Sequence, residues 1–356
     1  MDKLDKIISK IKPLDHRLAE KAQERLDNLT KPQGSLGRLE ELAKKIVAIT
    51  GKQSPLLKHK VIFTLAADHG VVEEGVSAFP QAVTAQMIEN FLSGGAGINV
   101  LAAHVGARIV VVDMGVAGKP KAKSLKRKSF KDKRIAWGTK NMAIGPAMTK
   151  QEAMESLEKG IEAFAEEWPR GIDIIGTGDM GIGNTTAAAA IAACFTRQPV
   201  EAVTGRGTGI DDRTLAIKIE AIKRALKVNR PDPNDALDVL SKVGGFEIGG
   251  LAGIILAAAA ARVPVVVDGF ISGAAALIAY KLEPQVKDYL IAAHCSVEKG
   301  HKLILDYLGL KPLLNLNLRL GEGTGAALGI SLAEAGVKIM TQMATFKSAG
   351  VSQRSS

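Results

Sequence analysis

The stretch "IDIIGTGDMGIGNTTAAAAIAACF", residues 172–195, decides the fold. An apolar run leads into a glycine-rich turn, and an alanine-rich helix pattern follows. Strand, turn and helix in that order form the repeating step of an α/β protein. The same step recurs along the chain. "VIFTLAADHG" ends at Asp68 and His69, "RIVVVDMG" at Asp113, "VPVVVDGF" at Asp268 and "LIAAHCS" at His294. Continuous aliphatic and β-branched runs belong to strands buried on both faces, which implies a parallel sheet. Helix patterns fall between the runs, at 84–92, 97–105, 149–167, 184–195, 214–226, 249–260, 273–281 and 297–308. The alternation predicts a doubly wound, mainly parallel α/β fold. Such sheets bind ligands beyond the carboxyl ends of their strands, where these polar residues collect.

The chain ends read differently. Residues 1–50 hold two helix patterns and no convincing strand, and a helix pattern returns after Gly325. We expect a small helical domain built from both termini, residues 1–55 and 331–356, beside a catalytic domain at 56–330. At 356 residues, one large domain with a small one is the natural size. The two cysteines, Cys194 and Cys295, lie in apolar surroundings, which points to a reducing, cytoplasmic setting. No signal-peptide core opens the chain, and the longest apolar stretch, 249–261, is too short to span a bilayer.

The net charge of +10 is concentrated at 119–134, where nine Lys or Arg stand against one Asp, leaving only +2 elsewhere. Only Phe130 interrupts this run, so a stacking platform for bases is missing and no nucleic-acid partner is expected. We read the run as a solvated, mobile connector.

Three glycine loops carry the chemistry: "GTGDMGIGNTT" (176–186), "TGRGTGIDD" (204–212) and "RLGEGTGAALG" (319–329). Each runs into a helix, where backbone N–H groups and the helix N-terminus favour an anion. Asn184, Thr185 or Thr186 could cap the first of these helices, Lys218 follows the second loop, and Ser296 offers a hydroxyl at a fourth helix entrance. Gly176, Gly178 and Gly181 match G-x-G-x-x-G, so a nicotinamide-dependent oxidoreductase is one alternative. The match lacks the acidic residue expected after the next strand and is read as coincidental. A non-enzymatic nucleotide- or nucleic-acid-binding protein using the basic run is another alternative. Glu322, between two glycines, has only Arg319 as an obvious cationic neighbour. Exposed, it would be a turn residue; in an apolar pocket its pKa would rise and it could accept a proton. Asp179 is a second candidate. His69 and His294 read as hydrogen-bonded structural residues; no metal is expected because the six histidines show no ligand spacing, and with the fingerprint read as coincidental no cofactor is expected either.

Together these motifs identify a resemblance. "LTKPQGSLGRLEELA" (29–43), "ADHGVVEEGVSAFPQAVTAQMIENFLSGGAGINVLA" (67–102), "GDMGIGNTTAAAA" (178–190), "TGRGTGIDD", "GGFEIGGLAG" (244–253), "DGFISGAAALIA" (268–279), "HCSVEKGH" (294–301) and "LNLRLGEGTGAALG" (316–329) resemble the nicotinate-nucleotide–dimethylbenzimidazole phosphoribosyltransferases. The resemblance implies a Rossmann-like sheet domain with a small helical domain, a homodimer, and transfer of phosphoribose from nicotinate mononucleotide to 5,6-dimethylbenzimidazole or a related base. The products would be α-ribazole 5′-phosphate and nicotinate, in cobalamin nucleotide-loop assembly. It also implies that Glu322 is the catalytic base, with Asp179 as a second catalytic carboxylate. Phe79, Pro80, Gln86 and Met87 would line the base pocket, and Gly178, Met180, Gly181, Gly207, Lys218, Ser296 and Gly325 would hold phosphate, ribose and nicotinate. Asp179 stands where the family pattern has Glu, one methylene longer.

Overall fold

The computed structural model describes residues 3–118 and 127–352. Six strands, β1 (Lys60–Ala67), β2 (Ala107–Gly115), β3 (Phe130–Asp132), β4 (Ile174–Met180), β5 (Val265–Val267) and β6 (Leu290–Ala292), form one sheet in the order β3-β2-β1-β4-β5-β6. Every pairing is parallel. This is the Rossmann strand order, with its reversal between β1 and β4. The expected α/β class and Rossmann-like sheet are therefore observed.

Apart from β3, the strands are mainly apolar because a layer of helices covers each face of the sheet. One layer includes helices Lys150–Glu167, Asn184–Thr196, Phe246–Ala260 and Phe270–Leu282, and packs on Val61, Phe63, Leu65 and Ile175. The other includes Ala82–Ser93, Gly97–His104 and Thr324–Gln342, and packs on Ile62, Ala66, Ile174 and Val266. The alternation along β1 sends successive side chains into opposite layers. In the first layer a Cβ on Gly160 would stand 1.9 Å from the Gly250 carbonyl oxygen, so glycine is what lets these two helices touch.

A third apolar cluster joins helices His16–Asp27 and Arg38–Thr50 to the end of Thr324–Gln342, through Leu26, Leu29, Ala43, Val47 and Met340. Helix Thr324–Gln342 runs unbroken through position 330, and Leu4 and Ile11 belong to the first sheet layer.

The basic run departs from expectation. Residues 119–126, including Lys123 and Lys126, lie outside the described residues. The remainder is not a free connector. Phe130–Asp132 is β3, pairing with β2, and Phe130 is buried. Lys131 pairs with Glu166 and Glu167, Lys133 with Glu162 and Glu166, and Arg134 with buried Asp113. A three-residue edge strand needs little apolar sequence, and Lys131 in it and Lys133 just after it neutralise the acidic side of helix Lys150–Glu167.

Candidate active site

A cleft opens at the carboxyl ends of β4, β5 and β6, beside the strand-order reversal. Its walls carry Asp179, Met180, Gly181, Thr185, Gly207, Gly269, His294, Ser296, Glu298, Arg319 and Leu320. Five of the residues expected in the site thus share one cavity: Asp179, Met180, Gly181, Gly207 and Ser296. A wider groove around Lys140, Ile144, Met148 and Lys242 lies elsewhere and contains none of them.

Glu322 is set by its turn. Gly321, Glu322 and Gly323 have φ of 79°, 62° and 98°, three successive left-handed residues, and a non-glycine there is uncommon. Such strain, of order 1–3 kcal/mol, persists only where neighbours hold it. Thr64 Oγ1 donates to the Glu322 carbonyl at 2.9 Å, and the Glu322 N–H donates to the Asp179 carbonyl at 3.2 Å. A Cβ on Gly178 would lie 2.2 Å from the Glu322 carbonyl oxygen. Gly178 therefore lies beneath the turn as packing rather than in the cleft wall. Gly325 plays a similar part, since its Cβ would lie 2.1 Å from His294 Cδ2.

The Glu322 side chain is buried, and Oε2 accepts the Ile98 N–H at 3.1 Å, near the start of helix Gly97–His104. Burial raises its pKa above the usual glutamate value, and the Ile98 bond partly opposes this. Among the described residues no ion pair forms at Glu322; Arg319 Nη1 instead donates to the Gly207 carbonyl at 3.2 Å. Leu320 is exposed over Gly97, so apolar surface adjoins the carboxylate.

Asp179 is buried, and its Oδ2 accepts from Asn184 Nδ2 at 3.1 Å while Oδ1 has no partner among the described residues. Burial, then the carboxylates of Asp268, Glu247 and Glu322, push its pKa well up. The helix beginning at Asn184 is capped by Gly183, not by a side chain. Asn184 is engaged by Asp179, and Thr185 Oγ1 accepts from Lys218 Nζ at 2.7 Å. Lys218 lies behind the wall, fully buried, with a second bond to the Gly205 carbonyl at 3.3 Å. Burial pulls its pKa down to about 8, and Glu298 opposes that. Ser296 donates through Oγ to the Leu318 carbonyl at 3.1 Å, and its N–H donates to His301 Nδ1 at 3.0 Å.

The base-lining segment is the part not brought in. Phe79, Pro80 and Gln86 are exposed, and Met87 is half-buried against the second apolar layer. None of the four lines the cleft.

Sequence reasoning missed two wall residues, His294 and Glu298, and the buried Asp268 that precedes the wall's Gly269. Asp268, at the end of β5, accepts the Ala326 N–H at 2.8 Å, and burial raises its pKa to about 7. His69 bonds Glu247 at 2.8 Å as expected. His294 does not behave the same way: its Nδ1 has no partner among the described residues, and burial lowers its pKa. Glu298 accepts the Gly207 N–H at 2.8 Å. The polar endings of "VPVVVDGF" and "LIAAHCS" were the available signals for Asp268 and His294; Glu298 had none.

The dinucleotide fingerprint fails on geometry. Gly176 and Gly178 lie inside β4, and the space of their missing side chains is filled by Ala326 and by the Glu322 turn. Among the described residues no group of three or more His, Cys, Asp or Glu is placed to hold a metal, and no helix is long and apolar enough to cross a membrane.

Comparisons with known proteins give the family. A family model described as a phosphoribosyltransferase matches residues 11–351. The chain is 59% identical over 353 residues, 99% of each chain, to a nicotinate-nucleotide–dimethylbenzimidazole phosphoribosyltransferase of Desulforudis audaxviator. It is 57% identical over 359 residues, again 99% of each, to the protein of that name in Geobacter sulfurreducens. Among solved structures, the phosphoribosyltransferase of the same name from Thermus thermophilus superposes with a TM-score of 0.90 at 44% identity, covering 96% of this chain and all of that one.

Proposed function

The chain belongs to the nicotinate-nucleotide–dimethylbenzimidazole phosphoribosyltransferase family, and we propose that it performs that family's reaction in the cleft, with Glu322 as the proton acceptor. The enzyme transfers phosphoribose from nicotinate mononucleotide to 5,6-dimethylbenzimidazole in cobalamin nucleotide-loop assembly. The oxidoreductase alternative finds no support in these relatives.

In our reading the C1′–N bond to nicotinate breaks with its electron pair moving onto the ring nitrogen, which quenches the pyridinium charge. The unprotonated nitrogen of the benzimidazole forms the new bond to C1′ from the opposite face, so β becomes α. The other ring nitrogen then loses its proton to Glu322. A carboxylate whose pKa is raised by burial is a stronger acceptor than a solvated one. Asp179 faces the sugar side. The pyridinium and the developing oxocarbenium favour its ionised form, against the burial that favours protonation. Gly181, Gly207 and Lys218 with Thr185 would take the 5′-phosphate, and Met180, Ser296 and the exposed edge at Phe79, Pro80, Gln86 and Met87 would contact the two bases.

The observation that carries this reading is the strained, buried Glu322 beside the strand-order reversal. We further propose a cytoplasmic homodimer with a small helical domain from residues 1–55 and 331–356. Two free cysteines suit a reducing compartment, and the separate apolar cluster around Leu26 and Met340 suits a small domain. Nicotinate release from the mononucleotide should require an added benzimidazole. Release at the same rate without it would contradict the transfer.

A further inference from the structure

We propose that Glu298 is a built-in competitor of the substrate phosphate: its carboxylate holds the Gly207 N–H and must give up that bond when phosphate enters. The proposal rests on the phosphate position given above. Glu298 is 6% exposed and lines the cleft. Its Oε1 accepts the Gly207 N–H at 2.8 Å, while Oε2 is buried without a partner among the described residues. The carboxylate fills the space that a side chain at Gly205 would need, since a Cβ there would stand 2.1 Å from Oε2.

The neighbouring cation is not its partner. Lys218 Nζ is spent on two neutral oxygens, Thr185 Oγ1 and the Gly205 carbonyl, and makes no salt bridge among the described residues. Glu298 acts on it only at a distance, opposing the downward pull of burial on its pKa. The wall thus holds an anion bonded to a loop N–H, and behind it stands a cation bonded to neutral acceptors, both against the 205–209 loop that a phosphate would use. A Cβ at Gly207 would be 3.1 Å from Thr185 Oγ1 and 3.5 Å from Lys218 Nζ, so a group at this turn meets both. A phosphate there gains the ammonium and the N–H, yet faces a like charge. Carboxylate and phosphate cannot share one donor.

Until displaced, Glu298 keeps the 205–209 loop in an anion-holding shape. It also sets a threshold: a ligand with a weak or missing anion does not dislodge it. Glu298→Gln keeps the shape and removes the charge. By calorimetry, we expect this variant to bind inorganic phosphate and nicotinate mononucleotide about tenfold more tightly than wild type, because a neutral acceptor holds the N–H less strongly and repels less. Affinity for nicotinate riboside, which lacks the phosphate, should stay within about twofold. Unchanged or weaker phosphate binding would overturn the proposal, as would a riboside shift of the same size, which would place Glu298 on the sugar instead. Wild-type protein gives an independent reading: the glycine-labelled NMR amide signal of Gly207 should move at saturating inorganic phosphate, and a stationary signal overturns the proposal whether or not the variant folds. Turnover of nicotinate mononucleotide by the same wild-type sample separates the two readings. If turnover is absent while the phosphate effects persist, the enzymatic assignment fails and the competitor stands.

Discussion

The cleft wall and the 79–87 segment are both expected to touch substrate, yet they are built in opposite ways. Asp179 and Glu298 on the wall, and Lys218 and Glu322 behind it, are buried and each holds at least one hydrogen bond at 3.1 Å or less. In the segment, Phe79, Pro80 and Gln86 face outward, and Phe79 is 48% exposed. The difference separates two tasks. Breaking a glycosidic bond needs charges placed within about 0.5 Å, and buried groups locked by neighbours supply that. Accepting a flat aromatic base needs only adaptable apolar surface. The sugar-phosphate half should therefore respond sharply to substitution and the base half weakly.

The largest effect belongs to Glu322→Gln, which keeps the turn and removes the acceptor. kcat should fall by about 10²–10⁴-fold with little change in substrate affinity. The acidic limb that Glu322 contributes to the pH–rate profile should go with it. The base works deprotonated, so activity is lost as pH falls through a pKa that burial has raised, and glutamine has none to titrate. Retained kcat would move the acceptor role to Asp179 or solvent.

Next comes Gly178→Ala. Its Cβ must displace the Glu322 carbonyl oxygen, 2.2 Å away, and misplacing a reacting group by about 1 Å costs roughly 10²-fold. A kcat within threefold of wild type would show that the turn can yield without harm, and the claim of a rigid wall would fail. Lys218→Ala follows, with nucleotide affinity weakened by about 10-fold or more and the base KM unchanged. Calorimetry showing unaltered nucleotide affinity removes Lys218 from the phosphate site. Smallest is Phe79→Ala. A half-exposed ring should change the KM of the base by about fivefold at most and leave the nucleotide untouched. A loss as large as that of the wall variants would show that the outward-facing edge is closed in the working enzyme, and the contrast would dissolve.

Much of this was legible beforehand because long buried strands advertise themselves. β1, β2 and β4 come from continuous apolar runs, and the polar ending of β4, at Asp179, marks the cleft. β3 was hidden because "FKD" sits among lysines and needs only one buried side chain, Phe130. Glu322 stood out because a carboxylate between two glycines is odd in any context. Glu298 did not, because a glutamate at a helix entrance is ordinary unless another loop buries it, and the loop that does so lies 91 residues away. Local pattern also misplaced the cap of helix Asn184–Thr196: Asn184 and Thr185 have the right chemistry for capping, but Asp179 and Lys218 take their side chains first. The exposure of Phe79 reverses the usual expectation for an aromatic and has no signature in its neighbours.

The central claim is that Glu322 removes a proton. The direct measurement compares kcat of wild type and Glu322→Gln on two bases: 5,6-dimethylbenzimidazole, whose attack leaves a surplus N–H proton, and an N-methylated benzimidazole, whose attack leaves none. If Glu322 takes that proton, the loss is about 10²–10⁴-fold on the first and less than about tenfold on the second. Equal losses on both bases would contradict it, because Glu322 would then be acting on the sugar or holding the loop rather than taking the proton.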